Sequence, residues 1–230
     1  MIIQLKVSEK MNAVYLLLVL FYLFFIITNA SDSSDKTCKV NGNCGLPDSK
    51  SIIGSNIPSY NLAAGGMRRK NLLVINVDVY NVGVYISPKM ENILKNNIKS
   101  GKTVQLYAST GEDVSVSIYL KFVRSVTTDK IVQAFKEGLT INDKNAVNSF
   151  TSILLKKLGP NGASNDDTIE FIFKGKNNED IGILVRDDKV PEIVKSASLR
   201  ERLIEIYTGK DSIVPEIPKQ LSEKYKKIDI

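Results

Sequence analysis

The sequence predicts an α+β domain in which long antiparallel strands are covered on one face by amphipathic helices. Two observations carry this. Residues 114–124 alternate strictly: Val114, Val116, Ile118, Leu120 and Phe122 point one way, Ser115, Ser117, Tyr119 and Lys121 the other. That period of two is the mark of a half-buried antiparallel strand. Elsewhere the period lengthens. Ile131, Phe135 and Leu139 recur every four residues and so line one face of a helix. Alternating strands separated by such helices give α+β rather than a purely helical or purely β architecture.

Taken in order, the domain begins near Tyr60. Residues 72–86 are a long β candidate, with Leu73, Ile75, Val77 and Val79 on one face and Asn76, Asp78 and Tyr80 on the other. That second face turns apolar at Val82 and Val84. The strand at 114–124 follows. Thr128-Asp129 is a plausible cap for the first helix. Ala146, Phe150, Ile153, Leu154 and Leu158 form a second, stopped by Gly159-Pro160. Residues 168–174, with Ile169, Phe171 and Phe173 on one face, and 181–186 flank a Lys-Asn-Asn turn and form a hairpin. Leu199, Leu203 and Ile206 give a third helix, stopped by Gly209. Ile217, Leu221 and Tyr225 give a fourth. No internal repeat is visible.

The N-terminus has a different character. Lys6 and Lys10 precede an uninterrupted apolar run at 13–27, followed by Thr28-Asn29-Ala30. A basic region, an apolar region and a small-x-small site describe a secretory signal peptide over residues 1–30, cleaved after Ala30. The rival is an uncleaved anchor, since the run is at the short limit of what spans a bilayer. Cleavage would leave no stable membrane anchor. The chain would enter the secretory pathway, to remain in the endoplasmic reticulum lumen, be secreted, or reach an organelle such as a complex plastid. Residues 31–59 are rich in Ser, Asp, Asn, Gly and Lys and read as a flexible leader. Cys38 and Cys44 lie within it. In an oxidising compartment they either close a small loop or stay apart, and two cysteines alone are too few for a zinc site. Residues 60–230 form the domain proper.

Composition narrows the chemistry. The 230 residues contain no His and no Trp. Ser-His and Cys-His catalysis and His-ligated metal are thereby excluded. Nothing suggests a metal or an organic cofactor, and Gly65-Gly66 lacks the Lys-Ser/Thr continuation of a nucleotide loop. The net charge of +6 is spread along the chain with no aromatic-rich basic stripe, which argues against nucleic acid as a partner.

Val79-Tyr80-Asn81-Val82-Gly83-Val84-Tyr85 resembles the core strand of chalcone isomerases and of the plant fatty-acid-binding proteins that share their fold. Gly65-Gly66-Met67-Arg68 is similar to that family's Gly-rich segment ending in Arg. Colinear similarity continues through Phe122-Val123-Arg124 with the helix after it, Asp167-Thr168-Ile169-Glu170-Phe171, and Tyr207-Thr208-Gly209-Lys210-Asp211-Ser212. The resemblance implies an open-faced β-sandwich, a large antiparallel sheet backed by a helical layer.

Carried over residue by residue, the resemblance favours binding over isomerisation. It puts the pocket Arg at Arg68 and replaces the isomerase's catalytic Thr by Tyr80. The isomerase's Tyr and Asn fall near Thr127 and Ala134, and its last polar contact near Ile206. No catalytic residue is assigned. Arg68 and Tyr80 are the expected ligand-binding pair, with Thr127 and Arg124 as further candidates. Arg offers a fork of N–H donors matched to a carboxylate, and a Tyr hydroxyl adds a directional third. Each methylene of an acyl chain buried behind them contributes about 0.8 kcal/mol. The implied function is non-catalytic binding of a fatty acid or similar small carboxylate. The alternatives are a cofactor-free isomerase of the intramolecular lyase type, and an interaction module with a vestigial pocket. Gly83 and Tyr85 read as structural: a close backbone approach and a core aromatic. Without the resemblance, Arg68-Arg69-Lys70 would read as a solvated basic turn.

Overall fold

The computed structural model describes residues 45–53, 57–72, 75–100, 106, 111–175 and 180–225. The expected signal peptide, most of the leader, and both cysteines lie outside the described residues.

Seven strands form one antiparallel sheet in sequential order, β1 to β7. They are β1 (Ser49–Lys50), β2 (Tyr60–Leu72), β3 (Ile75–Ile86), β4 (Gly111–Phe122), β5 (Thr168–Gly175), β6 (Asp180–Val185) and β7 (Glu192–Lys195). The helices are α1 (Pro88–Ser100), α2 (Thr128–Gly138), α3 (Lys144–Leu158), α4 (Ala197–Thr208) and α5 (Glu216–Tyr225). The alternation in the sequence sets the two faces of the sheet. Val82, Val84 and Ile86 of β3, Val116, Ile118, Leu120 and Phe122 of β4, and Ile169, Phe171 and Phe173 of β5 pack with the helices in one large core. Phe135 of α2, Phe150 of α3 and Phe171 meet there with ring centroids 5.2–5.5 Å apart. The fold expected from the sequence is the fold observed.

Helix ends follow local chemistry. Ser87 caps α1, its Oγ accepting from the Met90 amide at 3.3 Å, and Pro88 takes the first helical position, where a missing N–H costs nothing. Asp143 and Ser196 cap α3 and α4 in the same way, accepting from Ala146 and Leu199. At α2 the N-cap is Thr127, one residue earlier than expected, and its side chain makes no cap bond. Thr128 instead donates to the Gly159 carbonyl at the end of α3.

Three features go beyond the sequence reading. The stretch Gly65-Gly66-Met67-Arg68 is itself strand, because β2 and β3 form one long hairpin. The described part of the leader is ordered against the outer face of the sheet. There β1 pairs with β2, Ile52 is buried, and Leu46 and Ile57 pack beside Tyr60, Leu62, Tyr85, Ile172 and Leu184. Finally, α1 and β7 were not anticipated.

Beyond Leu62, β2 is covered by a helix rather than by another strand. The Gln220 amide on α5 donates to the Gly65 carbonyl at 2.8 Å and accepts from the Gly65 amide at 3.0 Å. Lys224 reaches the Leu62 carbonyl at 3.3 Å. A side-chain amide thus replaces a neighbouring strand at one residue, which satisfies an otherwise open edge. Gly66 permits the close approach: a Cβ there would overlap Val214 Cγ1 and lie 3.4 Å from Glu216 Cβ.

Candidate carboxylate site

Arg68 and Tyr80 are register partners across the β2–β3 hairpin. The twelve-residue spacing in the sequence is the length of chain that runs up one strand and returns along the other. A register shift separates Arg68↔Tyr80 from Arg69↔Asp78, so the strand bulges immediately beside the pair. The two neighbouring arginines consequently meet different partners. Arg68 lies with Tyr80, while Arg69 Nε pairs with Asp78 Oδ1 at 3.0 Å and Arg69 Nη1 lies 3.9 Å from Glu216. Arg69 is therefore an ion-paired residue and not the free solvated member of the basic triplet.

Tyr80 is partly buried against the main core, edge-on to Phe122, its partner across β3–β4, at 5.4 Å between centroids. Its hydroxyl lies 3.5 Å from that of Tyr207, a fully buried residue of α4. That separation is long for two hydroxyls, and only one of the pair donates to the other. The second proton stays available to a third group. Burial pushes the Tyr80 hydroxyl up in pKa, opposed by the Tyr207 hydrogen bond and by the positive charge of Arg68. Burial, then the neighbouring Tyr80, push Tyr207 well above the usual tyrosine range, and Arg68 again opposes. Both phenols therefore stay protonated at neutral pH, as hydrogen-bond donors. Arg68 also holds the chain that follows Tyr207: its Nη1 donates to the Ile213 carbonyl at 3.1 Å. That connector is fixed by Ile213 N to Ile206 O at 3.0 Å, by Ser212 Oγ to Tyr207 O at 2.7 Å, and by Val214 lodged against Gly66.

Three donor groups thus come from three elements: a guanidinium from β2, a phenol from β3 and a phenol from α4. This is a donor set for an anion, with an apolar core beside it. Arg124 and Thr127 are not drawn in. Arg124 follows Phe122 by two residues, but its side chain is exposed, as is that of Thr127 at the α2 N-cap. Among the described residues, no hydrogen bond joins either to Arg68, Tyr80 or Tyr207. Ala134, at the expected position of the isomerase Asn, is exposed on α2. Tyr207 was missed by the sequence reading, which placed the last polar contact one residue earlier, at Ile206. Its signal was its place on the stripe Leu199, Leu203, Tyr207, four residues apart and facing the core. Among the described residues, no acidic and thiol cluster could hold a metal, and no helix is long and apolar enough to cross a membrane.

No protein-family model matches the chain, and no curated protein matches it by sequence. Among solved structures, the crystal structure of a fatty-acid binding protein of Arabidopsis thaliana is similar to it, with a TM-score of 0.61 and 18% identity. The match covers 78% of this chain and 92% of that one. The fold is that of the chalcone isomerase-like proteins, an α+β open-faced sandwich.

Proposed function

We propose that this chain is a non-catalytic binder of a fatty acid or a similar small carboxylate, held by Arg68, Tyr80 and Tyr207. The observation that carries the reading is the pairing of Arg68 with Tyr80 across one hairpin, with the Tyr207 hydroxyl 3.5 Å from that of Tyr80. The Arabidopsis neighbour's description as fatty-acid binding supports it. A carboxylate taking the place of the Ile213 carbonyl would accept two hydrogen bonds from the guanidinium, and a third from whichever phenol is not donating to the other. The acyl chain would pass among the aliphatic and aromatic side chains between sheet and helices. The isomerase reading is weaker, because Tyr80 replaces a Thr and Ala134 has no polar side-chain group. Native mass spectrometry of the protein purified from its own cells tests the proposal. An acyl carboxylic acid bound one to one is the expected result. A chain that neither carries nor takes up any long-chain acid overturns it.

A further inference from the structure

We propose that the outer face of the sheet carries a second site, an ammonium-recognising cage, which the protein fills in cis with Lys50. The cage stands on the opposite face from the carboxylate site and does not depend on that reading. Its walls are Tyr85 of β3 and Tyr119 of β4, whose rings lie at 90° with centroids 6.2 Å apart and so form a corner. Its floor is the Glu170 carboxylate of β5. Lys50 Nζ sits 3.9 Å from the Tyr119 centroid, 5.5 Å from that of Tyr85 and 2.6 Å from Glu170 Oε2. A cation over aromatic faces with one charged hydrogen bond is the chemistry that selects an ammonium group.

The walls and floor are set by the sheet and not by Lys50. Tyr85 faces Ser117, and Tyr119 faces Glu170, in the registers of three adjacent strands. Ser117 Oγ donates to Glu170 Oε1 and fixes the carboxylate. Gly83 leaves the space in which the Tyr85 ring lies, since a Cβ there would come within 2.6 Å of Tyr85 Cε2. Lys50 itself comes from a strand of two residues, paired through Ser49↔Asn61 and Lys50↔Tyr60, with the Leu62 amide donating to the Asp48 carbonyl and the Tyr85 hydroxyl to the Pro47 carbonyl just before it. A preformed receptor is thus filled by a side chain on a short edge strand. The cage takes an alkylammonium that bears an N–H, such as the primary ammonium of Lys50, and not a quaternary one, because the short bond to Glu170 requires an N–H.

Hydrogen exchange of the amides of residues 49–52 in the full chain reads occupancy of the cage. Lys50→Ala should accelerate that exchange by about tenfold or more, the scale of one charge-assisted hydrogen bond. Millimolar n-butylammonium should restore protection, and tetramethylammonium or sodium should not. Adding Glu170→Gln should abolish the rescue. Lys50→Met separates charge from packing, and should also exchange about tenfold faster than the unaltered chain. No rescue by n-butylammonium, rescue by sodium alone, or wild-type protection in Lys50→Met would each overturn the proposal.

Discussion

Arg68 turns its guanidinium to the Ile213 carbonyl, while Arg69 pairs with Asp78 and Lys70 is exposed. Three consecutive cations are sorted by one bulge into a candidate ligand group, a structural ion pair and a surface charge. Tyr207 is the residue the structure adds to the candidate site. Tyr207→Phe should weaken hexadecanoate binding by about 0.5–1.5 kcal/mol, the net contribution of one neutral hydrogen bond. Arg124→Ala and Thr127→Ala, both at exposed positions, should leave the affinity within error. Competitive displacement of a fluorescent fatty acid ranks the three, and a larger effect at Arg124 than at Tyr207 would misplace the site. The pairing of Arg68 with Tyr80 across one hairpin was legible in the sequence because their strand motif keeps a recognisable spacing. Tyr207 was not, because a helix carries core and site residues on one stripe and a slip of one position separates them.

At the scale of elements, packing between β2 and the α4–α5 connector builds the site. Gly66 admits Val214, and the connector then presents the Ile213 carbonyl to Arg68. Gly66→Ala should destabilise the fold by roughly 1–3 kcal/mol, as overpacking of a close contact does. It should also change fatty-acid affinity, since the connector must move. Urea denaturation with a parallel binding titration checks both, and an unchanged midpoint would show that the connector yields freely. Long elements with an unmixed period, such as β4 and α3, were evident from sequence. By contrast α1 was hidden in an Asn- and Lys-rich stretch, where Met90 and Leu94 are the fully buried residues among the described side chains, although Ser87-Pro88 marked its start. The short strand β7 and the ordered segment around Ile52 were hidden for a related reason. Their apolar contacts are single residues in polar sequence, and only tertiary packing selects them.

Across the whole molecule, buried and half-buried tyrosines lie on both faces of the sheet. Tyr80, Tyr85, Tyr119, Tyr207 and Tyr225 all have raised pKa values, in each case with burial as the largest cause. In the unfolded chain these phenols ionise near pH 10, while in the folded chain they stay protonated to higher pH. Above pH 10 the folded state therefore binds more protons than the unfolded state. The stabilisation is complete below that pH and is lost as pH rises toward the folded values. Ultraviolet titration of phenolate should show these five tyrosines lagging behind free tyrosine, with stability falling in the same interval. Ionisation of these five near pH 10 would contradict the burial. The central claim is that Arg68 reads a carboxylate, and one calorimetric comparison tests it most directly: hexadecanoate against hexadecanol in the unaltered chain, Arg68→Ala and Lys70→Ala. The account predicts that the unaltered chain and Lys70→Ala prefer the acid by about 10- to 100-fold, a charged hydrogen bond's worth, and that Arg68→Ala loses that preference. An undiminished preference for the acid in Arg68→Ala, or none in the unaltered chain, would contradict it.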